Sequence, residues 1–150
     1  MKVHVQQIPP EGLLVEGEDP NSILDLHESG IKPLSTIEYS LQVGLSEGGL
    51  FATGTAAVNV ELQCVSCLEH FEQAIRVDDF ACQVQLTGAE TVDLTEPVRE
   101  DILLALPAHP HCDWSGERVC GGVPADAVLL SAAETPAPEV WGALDQLKLN

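Results

Sequence analysis

Positive charge is what this sequence has least of. Lys and Arg number 6 against 24 Asp and Glu, giving a formal charge of -18. The six bases (Lys2, Lys32, Arg76, Arg99, Arg118 and Lys148) are scattered. Nucleic-acid affinity comes largely from Lys and Arg neutralising phosphates, so direct binding to naked RNA is not expected. The same field attracts basic proteins. It also keeps a protein soluble, which is often all an acidic surface does.

Aromatic residues are scarce too, at 4%, so aliphatic side chains must carry the packing. No apolar run approaches the roughly 18 residues of a membrane span. Residues 1–6 do not open a secretory signal, and a cytoplasmic location is the expectation. Five cysteines in a reducing compartment then read as thiols or metal ligands rather than structural disulfides. Catalytic motifs are missing as well. Gly48-Gly49 and Gly54 match no phosphate-binding loop, and there is no Gly-x-Ser-x-Gly elbow. The histidines (His4, His27, His70, His109 and His111) form no spaced triad. Asp78-Asp79 and Glu100-Asp101 read as solvated charge. No enzyme is expected.

What is present is a patterned chain of 150 residues, 45% apolar. That length suits one domain, residues 1–150, with a real core. Val3 and Val5 suggest a first strand, ended by Pro9-Pro10. Leu13, Leu14 and Val15 suggest a second, short one. Residues 16–33 read as a loop with one helical turn near 22–27. The clearest signal follows. Ile37, Tyr39, Leu41, Val43 and Leu45 alternate with polar residues, the period of a half-buried strand. Glu47-Gly48-Gly49 supplies a tight turn. Ala56, Val58, Val60, Leu62 and Cys64 form the return, so 36–64 is a long β-hairpin with Cys64 on its apolar face. Beyond Cys67 the apolar parity is odd at Phe71, Ile75 and Val77. It is even at Phe80, Cys82, Val84 and Leu86, and Asp78-Asp79 sits at the flip. Either a β-bulge or a short break absorbs one such extra residue. Cys82 reads as a small buried hydrophobe.

The period changes again over 91–107. Leu94, Val98, Ile102 and Leu106 recur at helical spacing, giving a helix at about 94–106. Asp93 or Thr95 can cap it, Pro97 is tolerated in its first turn, and Pro107 ends it. Residues 121–138, rich in Gly, Ala and Pro, read as a flexible segment. Val140, Trp141, Leu144 and Leu147 form the stripe of a short C-terminal helix. Strands followed by helices give an α+β fold with a mainly antiparallel, curled or barrel-like sheet.

Two cysteines stand close together only at Cys64 and Cys67. That spacing suits half of a tetrahedral zinc site. Cys112 and Cys120 can supply the other half, with His109 or His111 as a substitute for one of them. A zinc ion there would fasten the loop after the helix to the end of the hairpin. The alternative is a set of free thiols. A thiol-redox pair is the enzymatic rival, but such pairs open a helix, and here strands flank the motif. A small zinc-binding RNA-interaction module is a third reading, opposed by the shortage of bases.

Three stretches together resemble the YceD-like family, the large ribosomal RNA subunit accumulation proteins, a domain of unknown function. The first is Cys64-Val65-Ser66-Cys67-Leu68-Glu69, with Ser66 where the family usually has Arg. The second runs Val92-Asp93-Leu94-Thr95-Glu96-Pro97-Val98-Arg99 and on to Leu106-Pro107. The third is the Cys112 to Cys120 loop, with Gly116 where a middle cysteine is usual. The resemblance covers roughly residues 35–150. It singles out Leu68, Glu69, Asp93, Leu94, Arg99, Leu106 and Pro107 as motif residues. It implies a role in bacterial ribosome biogenesis, supporting accumulation of large-subunit rRNA, with no established enzymatic activity. Joined to the charge, it implies a ribosomal or other basic protein partner, or a pre-ribosomal particle.

Overall fold

The computed structural model describes residues 1–26, 30–46, 48–86, 88, 90–116 and 118–122. The C-terminal helix expected near 138–147, and the Gly/Ala/Pro-rich segment beyond residue 122, lie outside them.

The patterned hairpin is the centre of the sheet. Strand β4 (Ile37–Ser46) turns at Gly48 into β5 (Gly49–Gln63), and β6 (His70–Gln85) runs back along the other side of β5. β2 (Leu13–Asp19) adds to β4, and the two-residue β3 (Lys32–Pro33) pairs with β5 beyond the end of β4. All these pairings are antiparallel. β1 (Lys2–His4) and β7 (Thr91–Asp93) form a separate two-stranded ribbon. One helix, α1 (Thr95–Ala105), follows β7 and packs against β6. No helix among the described residues is long and apolar enough to cross a membrane.

Period-two alternation sets the faces. Ile37, Leu41 and Val43 of β4 are buried, as are Ala56, Val58, Val60 and Leu62 of β5. Phe71, Ile75 and Phe80 of β6 complete that face. The parity flip in β6 is a bulge: Gly54 pairs with Phe80 and Ala56 with Val77, so Asp78 and Asp79 together face Thr55. The extra residue lets Ile75 and Phe80 both point inward despite their odd spacing. Cys82 is partly buried against the core, and burial raises its thiol pKa.

α1 shows why its sequence starts and stops where it does. The Asp93 carboxylate accepts the Thr95 amide at 2.9 Å, satisfying one donor of the first turn. Leu94, Val98 and Ile102 are buried four residues apart on one side. Val98 and Ile102 each contribute about 2 kcal/mol by that burial. Leu106 precedes Pro107, which bars it from helical geometry, and it is extended, with ψ 134°. Asp93→Ala is expected to lower stability by about 1 kcal/mol, measured by urea unfolding. Its hydrogen bonds from Thr95 hold the Asp93 pKa below the ordinary 3.8. The contribution is therefore complete above that value and fades as the pH falls through the lower folded one.

Several local expectations change. Val5–Gln7 is a 3-10 turn rather than strand, so β1 stops at His4. β2 is longer than the apolar run, because Glu16 and Glu18 face solvent and Gly17 lies under the Tyr39 ring. The expected loop of 16–33 thus holds the end of β2, a 3-10 turn at Asn21–Leu24, and β3. The sheet does not close into a barrel. Among the described residues its outer strands β2 and β6 do not pair. The apolar face is covered instead by α1 and by the turn carrying the buried Leu24, so closure is not needed to bury it.

Candidate metal centre

Cys64 follows β5 in the same phase as Val58, Val60 and Leu62, and it is fully buried. A tight turn then reverses the chain. The Leu68 amide donates to the Cys64 carbonyl at 3.0 Å, and the Cys64 amide donates to the Glu69 carbonyl at 2.9 Å. Leu68 completes the turn in the left-handed region, φ 63°, a strained conformation for a side chain of its size. The motif residues Leu68 and Glu69 are thus the parts that fold Cys67 back over Cys64. The Cys67 amide points at the Cys64 sulfur, helped by the amides of Cys112 and Ser66, and against burial these pull the Cys64 pKa down to about 6. At Cys67 the Glu69 amide pulls down, but burial and the Cys64 and Cys120 sulfurs outweigh it and the pKa rises.

The second half arrives from beyond α1. The Val65 amide donates to the Pro110 carbonyl at 2.9 Å, fastening the returning loop to the turn. Trp114 and Gly116 amides then close two successive turns on His111 and Asp113. Gly116 takes φ 72°, a conformation glycine adopts without strain. These turns draw in the first part of the seven-residue gap between Cys112 and Cys120. Cys112 reaches Cys67, Sγ to Sγ 3.6 Å, and Cys120 reaches Cys64 at 3.8 Å. All four sulfurs lie within 4.8 Å of one another. Burial, then the neighbouring sulfurs, push the Cys112 pKa up to about 12.

These are thiols, not disulfides. The arrangement fits a metal ion. A Zn–S bond of about 2.3 Å puts tetrahedral sulfurs about 3.8 Å apart, matching both close pairs. Four thiolates at this spacing require positive charge among them. All four predicted ligands are therefore brought together.

No family model, curated protein or solved structure matches this chain. The resemblance to the YceD-like family rests on the quoted motifs alone.

The other candidate residues divide. Neither histidine joins the sulfur cluster. His111 is 3.3 Å from the Ser66 hydroxyl through Nδ1, and its ring lies 6.1 Å from that of Trp114. His109 is exposed. Neither Cys64 nor Cys67 begins a helix; both lie on the turn between β5 and β6. Of the motif residues in the second stretch, Asp93 accepts the first helical amide, Leu94 is the fully buried N-cap residue, and Leu106 and Pro107 end α1. Arg99 makes a 3.5 Å ion pair with Glu96. None of these five reaches the sulfurs; they build the helix that sends the chain back to them. Two contributors were not legible beforehand: the Pro110 carbonyl, a backbone group without a sequence signature, and the Ser66–His111 contact.

Proposed function

We propose that this chain is a non-enzymatic ribosome-assembly factor whose four cysteines hold one zinc ion as a structural clasp. The sulfur separations carry the metal part of this reading. Cys64, Cys67, Cys112 and Cys120 would fill all four tetrahedral positions, leaving none for water or substrate, as in structural zinc sites. Zinc would neutralise the thiolates and tie the loop after α1 to the end of the β5–β6 hairpin.

The assembly part is supported by the motif resemblance and the formal charge of -18. An acidic surface would hold a basic protein, most simply a ribosomal one, until rRNA takes over. Glu16, Glu18, Glu38 and Asp78 line a shallow depression on the open face of the sheet, with Arg76 its only Lys or Arg. Binding to a basic ribosomal protein is expected to weaken at least about tenfold between roughly 50 and 200 mM salt. Titration calorimetry across that range checks it. Tight binding to naked RNA at physiological salt would sink the reading.

A further inference from the structure

Among the described residues no strand covers the outer edge of β6, which pairs with β5 alone. The direction of its free backbone groups follows from the ladder. Asn59 of β5 directs its carbonyl to the Leu34 amide and its amide to the Ser35 hydroxyl, both away from β6. Asn59 stands opposite Ala74, so that pair exchanges no hydrogen bonds and the backbone groups of Ala74 point outward. The Ala74 carbonyl is in fact met by the Gln73 side-chain amide at 3.2 Å. By the two-residue repeat of a strand, Glu72 and Arg76 point the same way. The bulge at Asp78–Asp79 ends this regular stretch.

A groove of about 430 Å³ lies beside this edge, lined by residues 73–76 on one side and by Ala105, Pro107 and Trp114 on the other. Four consecutive strand residues line one groove only where it follows the strand's edge, because their side chains alternate between faces. Trp114 is 56% exposed. It sits two residues from Cys112, so the sulfur cluster fixes the groove's aromatic wall. The groove's own lining carries a single charge, Arg76; the bordering elements carry Glu72, Asp78, Asp79, Glu96, Glu100, Asp101 and Asp113 against Arg76, Arg99 and Arg118.

We infer that the edge of β6 along residues 70–77, with the groove beside residues 73–76, binds an extended, cationic peptide segment by strand addition. The peptide's backbone pairs with Glu72, Ala74 and Arg76, which is how open sheet edges capture extended chains. Trp114 offers a face for a Lys or Arg side chain, and the carboxylates favour positive charge. This rests on the basic-partner reading and names where that partner docks.

The test uses the full chain, isotopically labelled, and a peptide of alternating Lys and Val, roughly eight residues long to match 70–77. At low salt the amides of Glu72, Ala74 and Arg76 and the Trp114 indole should shift in NMR spectra. Methylating alternate peptide amides keeps the charge and removes donors, and should weaken binding about tenfold or more. Ala74→Pro, which removes an outward donor the sheet does not use, should do the same. Equal binding by the methylated peptide, with shifts on Glu16, Glu18 and Glu38 instead, overturns the edge site and leaves the basic-partner reading standing. A silent peptide beside a tightly bound basic protein does likewise. If neither binds, both fall.

Discussion

Cys64→Ser is expected to leave the protein without zinc and to lower its melting temperature by roughly 10 °C. Cys64 is fully buried at the end of β5, and its sulfur is the one into which three backbone amides are directed. Serine keeps the shape but gives a poor ligand, and three sulfurs do not complete the tetrahedron. A metal held about a thousandfold above its dissociation constant stabilises the folded state by about 4 kcal/mol. For a chain of this length each kcal/mol shifts the midpoint by about 2–4 °C. Chelator should lower the wild-type midpoint by the same amount and leave Cys64→Ser unmoved. Cys82→Ser, outside the cluster, should keep its metal. Elemental analysis beside calorimetry decides the matter. One zinc per wild-type chain is the expected ratio. Metal-free wild type with five reactive thiols, and an unchanged midpoint for Cys64→Ser, would make the clasp wrong.

The largest effect on the fold itself is expected at Gly54. A methyl group there would be driven into the Ser40 carbonyl oxygen and would lie 2.9 Å from the Leu41 Cα. Both are backbone atoms of β4, held by the β4–β5 ladder on one side and by β2 on the other. Neither can swing aside as a side-chain tip can. Gly54→Ala is therefore expected to destabilise by about 3–5 kcal/mol, at the upper end for single substitutions. Gly48→Ala provides the contrast. Gly48 also has a positive φ, 84°, but a Cβ there meets nothing within 4 Å. It should lose only about 1–2 kcal/mol, the conformational term. Chemical denaturation of both variants measures the difference. Equal, small losses would mean that β4 and β5 do not approach this closely at Gly54.

Gly54 also marks where sequence reading stopped. The alternation through Ile37–Leu45 and Ala56–Leu62 gave the hairpin, its buried face and the phase of Cys64, because strand period is a local property. The parity flip at Asp78-Asp79 marked an irregularity for the same reason, and the pairing with β5 made it a bulge rather than a break. The start of the helix near Asp93 and its stop before Pro107 followed from backbone chemistry within a few residues, although the N-cap is Leu94 rather than Asp93 or Thr95. β3 was illegible, since two residues show no period. The far end of β2 was hidden because Gly17 interrupts the apolar alternation and leaves its inward place to the Tyr39 ring. The pairing of β1 with β7 joins Lys2 to Asp93, a separation no local pattern encodes.

The sequence alone determined which residues are available: an acidic chain, one Cys-x-x-Cys turn, and two distant cysteines beyond a helix. It determined the strands and the helix wherever periodicity runs for several residues. The tertiary structure decided that the four sulfurs meet. That required Leu68 in a left-handed turn, the Val65–Pro110 hydrogen bond, and the turns through Gly116 that draw Cys120 back to Cys64. It also decided that, among the described residues, the sheet does not close and β6 pairs on one side only, with its other edge beside Trp114. The physical reason is the same in both cases. Periodicity reports which side of an element is buried, but contacts between remote segments depend on how the covering elements pack, and no single stretch carries that information.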